Sequence, residues 1–207
     1  MFGRIRIIMG SGSVLGYFLQ ALPIACLAGV IYLVVMLYIL KKKKKTQIKL
    51  LHEIPRFIFV CYLTGLISLI VLPANFWLFF YDGIFLGQWE EMGQVFQFGE
   101  VNLVPSIIKY LNGELLIGSW VKTMLIFNIA MFIPLGFFLP LVTKIKNRKS
   151  ILLTSIAVPI CFEVLQLFFG RSFDADDLIC NFIGIIIGAA VAAVISKLKL
   201  TVDGKGR

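Results

Sequence analysis

Carboxylates, amides and one arginine crowd into the stretch EVLQLFFGRSFDADDLICN, from Glu163 to Asn181, within sequence that is otherwise apolar. Glu163 lies inside the apolar run Ile151–Phe169, and Asn181 lies near the start of the next one. Arg171, Asp174, Asp176 and Asp177 fill the turn between them. An ionisable group at membrane depth costs roughly 2.5–3.5 kcal/mol on insertion scales, so it is retained where it faces a partner, water or a ligand.

Each residue type suggests a role. Glu163 is the candidate ligand-binding carboxylate or acid/base group, and its structural alternative is a hydrogen bond to Asn128 or Gln166. The planar fork of Arg171 suits an anionic phosphate or carboxylate, and its structural alternative is a clamp on Asp174 or Asp177. Asp174 and Asp177 are weak candidates for holding a divalent cation, although no resident cofactor is expected. Asp174, Asp177 and Asn181 follow an i, i+3, i+7 pattern and share one face if their helix begins early, which leaves Asp176 toward solvent. No Ser, Cys or His stands beside the cluster in an activation pattern, so a nucleophilic enzyme is disfavoured.

Membrane helices must position these groups. Hydrophobic residues make up 59% of the 207, charged residues 15%, and mean hydropathy is +0.95, more apolar than one soluble core can hide. The expected fold is all-α, a single polytopic membrane domain over residues 1–207. Five spans are expected at about 14–40, 57–80, 120–142, 151–169 and 178–195, each near the ~20 residues a spanning helix needs. The outer loop, 81–119, contains NLVPSIIKYLNGELL, where Pro105 suits a first helical turn and Ile107, Ile108, Leu111 and Leu115 would share a face. A short interfacial or re-entrant helix is expected there.

Depth brings the polar groups together. Glu163 precedes the outer end of its span by roughly 10 Å, and Asn128 lies roughly 12 Å below the start of its own. With Asn181 near the outer start of the last span, three helices contribute to one outward-facing polar pocket. Gly184 and Gly188 form a G-x-x-x-G that permits close helix approach, and Pro134 with Gly136 is expected to break the third span below Asn128.

Lysine and arginine set the orientation. Lys41–Lys45, Lys49, Arg56, Lys144, Lys146, Arg148, Lys149, Lys197, Lys199, Lys205 and Arg207 fall at one set of span ends. By the positive-inside rule the amino terminus is outside and the carboxyl terminus cytoplasmic. The net charge of +9 is thereby accounted for without nucleic acid. Lys41–Lys45 serves as a topology anchor and could also meet anionic lipid headgroups. The four cysteines lie apart in apolar runs, and the single histidine, His52, lies in a basic loop, so neither a disulfide framework nor a histidine metal centre is expected.

Taken together, Asn102-Leu-Val-Pro105, Asn128-x-x-x-Phe132-x-Pro134-Leu135-Gly136, Glu163-x-x-Gln166 and Arg171-x-x-Asp174-x-x-Asp177-x-x-x-Asn181-x-x-Gly184-x-x-x-Gly188 resemble the VanZ-like family of bacterial membrane proteins. The resemblance covers about residues 102–188. It implies a bacterial plasma-membrane protein of the type named for teicoplanin-class glycopeptide resistance. The expected site is Asn102, Asn128, Glu163, Gln166, Arg171, Asp174, Asp177 and Asn181, binding or masking an amphiphilic or anionic envelope ligand. Membrane lipids and a cell-wall precursor or amphiphilic antibiotic are the expected partners. The alternative is a membrane-embedded enzyme acting on a lipid-linked envelope substrate, with Glu163 as its acid or base.

Overall fold

The computed structural model describes residues 2–42, 50–113 and 118–205. Lys43–Lys45, Lys49, Leu115 and Arg207 lie outside the described residues. The architecture is all-α, and five helices are long and apolar enough to cross a membrane. The protein is therefore a multi-pass membrane protein. Its chain divides into two compact units, Met1–Glu100 with Leu165–Arg171, and Val101–Val164 with Ser172–Arg207.

The first unit contains α1 (Phe2–Met9), α2 (Val14–Lys42), α3 (Leu50–Ile70) and α4 (Phe76–Leu86), followed by a short 3-10 turn at Trp89–Met92. Helix α1 was not foreseen: its eight residues are short, and it is held from a distance. Arg6 Nε donates to both carboxylate oxygens of Asp82 on α4, at 2.8 and 3.0 Å. Gln20, buried in α2, donates to the Met9 carbonyl at 2.8 Å and to Asn75 Oδ1 at 3.0 Å, while the Tyr81 hydroxyl donates to the Gln20 carbonyl. The segment 165–171 packs in this unit through a bridge between Gln97 and Phe169 and a hydrogen bond from Gly99 N–H to the Leu167 carbonyl.

The expected span 57–80 is corrected to a helix ending at Ile70 and a separate helix beginning at Phe76. Pro73 lacks the N–H that would continue the ladder, and Asn75 adopts a left-handed backbone with φ 61°. Apolar content runs on through Leu72 and Phe76, so hydropathy alone joins two elements that the backbone separates.

The second unit contains β1 (Val101–Asn102), α5 (Ser106–Leu111), α6 (Ser119–Val142), α7 (Arg148–Leu167, to Val164), β2 (Phe173–Asp174) and α8 (Ala175–Lys205). Helix α5 forms directly after Pro105, as the sequence leads one to expect, and Ile107, Ile108 and Leu111 are exposed on it. The two strands pair in parallel, setting Val101 opposite Phe173 and Asn102 opposite Asp174.

Helices α6 and α8 form the tightest packing in this unit. A Cβ on Gly184 would stand 2.3 Å from the Ile129 carbonyl oxygen, and one on Gly188 would come still closer to that of Ile133. Gly136, from the opposite side, meets the Ile185 carbonyl in the same way. The small residues therefore place two backbones in contact, where dispersion and weak polar contacts replace the hydrophobic drive that lipid does not supply. Pro134 does not break the span: α6 runs unbroken through it to Val142. A membrane helix tolerates such a proline when neighbouring groups satisfy the freed backbone.

Candidate functional site

The start of α8 organises the polar residues of the second unit. It begins at Ala175, earlier than the expected 178, which places Asp177 and Asn181 on the helix and Asp174 at its cap. Asp174 Oδ1 accepts a hydrogen bond from the Asp176 N–H at 2.8 Å, satisfying one of the donors that a helix start leaves unpaired. Three carboxylates at this terminus are also favoured by the helix dipole.

From Asp174 the contacts spread to three other elements. Its backbone N–H donates to Glu163 Oε2 on α7 at 2.9 Å, and its Oδ2 accepts from Asn102 Nδ2 on β1 at 2.9 Å. Asn102 Oδ1 in turn accepts from the Lys109 ammonium on α5, again at 2.9 Å. Asn128 on α6 donates its Nδ2 to Asp177 Oδ1 on α8 in a short hydrogen bond. Glu163 is wholly buried at 0% exposure, and Asn181 is 3% exposed. The fold thus joins Asn102, Glu163 and Asp174 in one hydrogen-bonded network and pairs Asn128 with Asp177 beside it, with Asn181 one turn beyond Asp177.

Asp176 corrects the expectation of a solvent-facing side chain. It is 7% exposed, and both of its carboxylate oxygens accept from the Ser106 N–H, at 3.1 and 2.9 Å. Ser106 opens α5, where backbone donors lack helical partners, so a carboxylate is drawn to it. Helical spacing alone aims Asp176 away from its neighbours; the folding back of α5 onto this terminus supplies the partner. Ser106, Asp176 and Lys109 accordingly join the hydrogen-bonded residues of the candidate site, and sequence reasoning passed over them. For Lys109 the available signal was its spacing of seven from Asn102.

Gln166 and Arg171 belong to the first unit. Gln166 is 2% exposed, and Arg171 donates Nη1 to the Leu69 carbonyl at 2.9 Å, at the end of α3. That contact spends part of the guanidinium on backbone, a structural use of a side chain expected to hold an anion. Lys122 is exposed. Among the described residues no three His, Cys, Asp or Glu side chains are placed to hold a metal ion.

One polar atom in the second unit stands out. Asn181 Oδ1 is buried and has no hydrogen-bond donor among the described residues. A buried acceptor left unpaired costs about 1–3 kcal/mol, which is why such atoms are rare in the absence of a ligand or water.

Compared with known protein families, residues 57–196, more than half of the chain, match the VanZ/LLP1 family. The chain belongs to that family. No match is found among curated proteins or solved structures. All of the polar groups of the second unit described above fall within the matched VanZ/LLP1 segment. Helix α1 and Gln20 precede it.

Proposed function

We propose that this VanZ-family protein uses the carboxylate and amide cluster of its second unit to bind the head group of an amphiphilic cell-envelope molecule. The unpaired, buried Asn181 Oδ1 carries this reading, because it sits one helical turn from Asp177 in a cluster rich in acceptors. Four carboxyl groups, Glu163, Asp174, Asp176 and Asp177, stand at or beside the start of α8, and the Lys109 ammonium reaches them through Asn102. Such a site favours a ligand that brings donors, an ammonium or several hydroxyls, over one that brings phosphate.

In this reading the protein lies in the bacterial plasma membrane with its amino terminus outside and its carboxyl terminus in the cytoplasm, and the cluster faces outward. The distribution of lysine and arginine supports that orientation. Sequestering such an amphiphile at the outer surface would lower susceptibility to teicoplanin-class glycopeptides, as the family resemblance implies. The test has two arms. The full-length protein in nanodiscs is titrated with hexylammonium, and cells with and without the gene are compared for teicoplanin susceptibility. Binding by the native protein that Glu163→Gln weakens about tenfold supports the reading; equal binding by both sinks it. Unchanged susceptibility on deletion removes the resistance role.

A further inference from the structure

The segment that leads into and through α5 is inside out for a stretch of chain in water. Leu103, Val104, Ile107, Ile108 and Leu111 are 45–75% exposed, while Asn102, Ser106 and Lys109 between them are partly buried. The polar groups turn inward. Lys109 Nζ donates to Asn102 Oδ1 at 2.9 Å, Asn102 Nδ2 donates to Asp174 Oδ2 at 2.9 Å, and the Ser106 N–H donates to both carboxylate oxygens of Asp176.

Helical geometry sharpens the inversion. At 3.6 residues per turn Lys109 lies roughly 200° around α5 from Ile107, while Ile108 and Leu111 fall within about 100° of it. A surface helix in water does the opposite, packing its apolar stripe inward and extending its charges outward. A lysine drawn onto a neighbour loses side-chain freedom, and an exposed leucine or isoleucine forgoes roughly 1.5–3 kcal/mol of burial. Both arrangements become favourable when the medium on the outward side is hydrocarbon.

The position of the segment supplies that medium. Asp176 stands in the first turn of α8, whose apolar stretch Ala175–Leu198 covers roughly 36 Å at the helical rise, against ~30 Å of bilayer hydrocarbon. That turn therefore lies at the boundary between headgroups and acyl chains. The Ser106–Asp176 and Asn102–Asp174 bonds hold α5 to the same level. A second copy of the chain is the other candidate occupant, and five side chains fall well short of the roughly 20–30 residues a side of a stable protein interface.

We infer that the outward face of residues 103–111 is seated in the bilayer leaflet surrounding the start of α8, against the upper acyl chains of its lipids. The placement is interfacial rather than re-entrant. In the orientation proposed above this is the outer leaflet, but the inference depends neither on that orientation nor on a head-group ligand. Tyr110, exposed beside the face, carries a ring and a hydroxyl that suit the same boundary. Because the contact is apolar and the lysine is turned inward, it is indifferent to the charge of the lipid headgroup.

The experiment uses the native full-length protein in nanodiscs and two reagents in separate samples. A phosphatidylcholine with a diazirine near the glycerol end of one acyl chain is photolysed and its adducts are mapped by mass spectrometry. A membrane-impermeant N-hydroxysuccinimide ester acylates lysines from water. Diazirine adducts on 103–111 are expected to be at least about half as frequent as on Ile179, an exposed residue of the start of α8, and at least about fivefold more frequent than on the exposed basic stretch 146–149. Lys109 is expected to be acylated about tenfold more slowly than Lys122 and Lys146, both of which are exposed. Adding phosphatidylglycerol is expected to leave the adduct pattern unchanged. Adducts on 103–111 no more frequent than on 146–149 overturn the inference, whether water or a second copy covers the face. Lys109 acylated as fast as Lys122 overturns it by showing the polar side turned to water, and adducts that rise more than about twofold with phosphatidylglycerol overturn the assignment to acyl chains. None of these results bears on amine binding, which Glu163→Gln tests separately.

Discussion

Each unit buries a polar centre, and the two are built on opposite terms. In the first, Asp82 is 1% exposed and receives two hydrogen bonds from Arg6, while Gln20 donates to both Met9 and Asn75 and its carbonyl accepts from Tyr81. Charge meets charge there, and the contacts fasten α1 to α2 and α4. In the second, Glu163, Asp174, Asp176 and Asp177 gather about the start of α8, and the buried Asn181 Oδ1 meets no donor among the described residues. A satisfied network holds a fold together, whereas a buried acceptor left without a donor is suited to receive one from a ligand.

The comparison can be broken by substitutions that separate stability from binding. The largest expected loss of stability is for Arg6→Ala, which strands Asp82 in a buried position. Removing one partner strands the other charge in a buried position, and the 41% exposure of Arg6 lets water offset part of that loss. Chemical denaturation in detergent would measure it, with amine binding unchanged. Glu163→Gln keeps the shape of its side chain and one acceptor. It should weaken amine binding by about tenfold, or about 1.4 kcal/mol, without a matching loss of stability.

Asn181→Leu sharpens the contrast in the other direction. Replacing the unpaired amide by an apolar side chain of similar size should raise stability by about 1 kcal/mol while reducing amine binding, read by thermal melting and titration of the same sample. The smallest effect is expected for Lys109→Met. Lys109 touches the cluster only through Asn102, so stability should change by about 0.5 kcal/mol, and removing a competing cation should leave amine binding equal or slightly tighter.

The spans were legible because run length and apolar content are local properties. Val14 marks the start of the first spanning helix both in the hydropathy and in the structure, and the third span starts within a residue of its expected position. Glu163, Asn128 and Asp177 were legible because charge and amide groups at depth demand partners. What escaped depends on distant chain. The break after Ile70 turns on backbone chemistry at Pro73 and Asn75 that apolar content conceals. The pairing of Asn102 with Asp174 joins strands 72 residues apart, and the burial of Asp176 follows from the return of α5 to that same terminus. No helical periodicity encodes either contact. Gly184 and Gly188 permitted close packing in the sequence, but only the carbonyls of Ile129 and Ile133 show what they approach.

The most direct measurement takes two readings on one variant: the amine affinity and the unfolding midpoint of Glu163→Gln, set beside the native protein and Arg6→Ala. A ligand site requires that Glu163→Gln lose about tenfold in affinity while its midpoint stays at or above that of the native protein. A midpoint that falls as far as that of Arg6→Ala, with affinity unchanged, would show that the second polar centre is a structural lock like the first and would contradict the account.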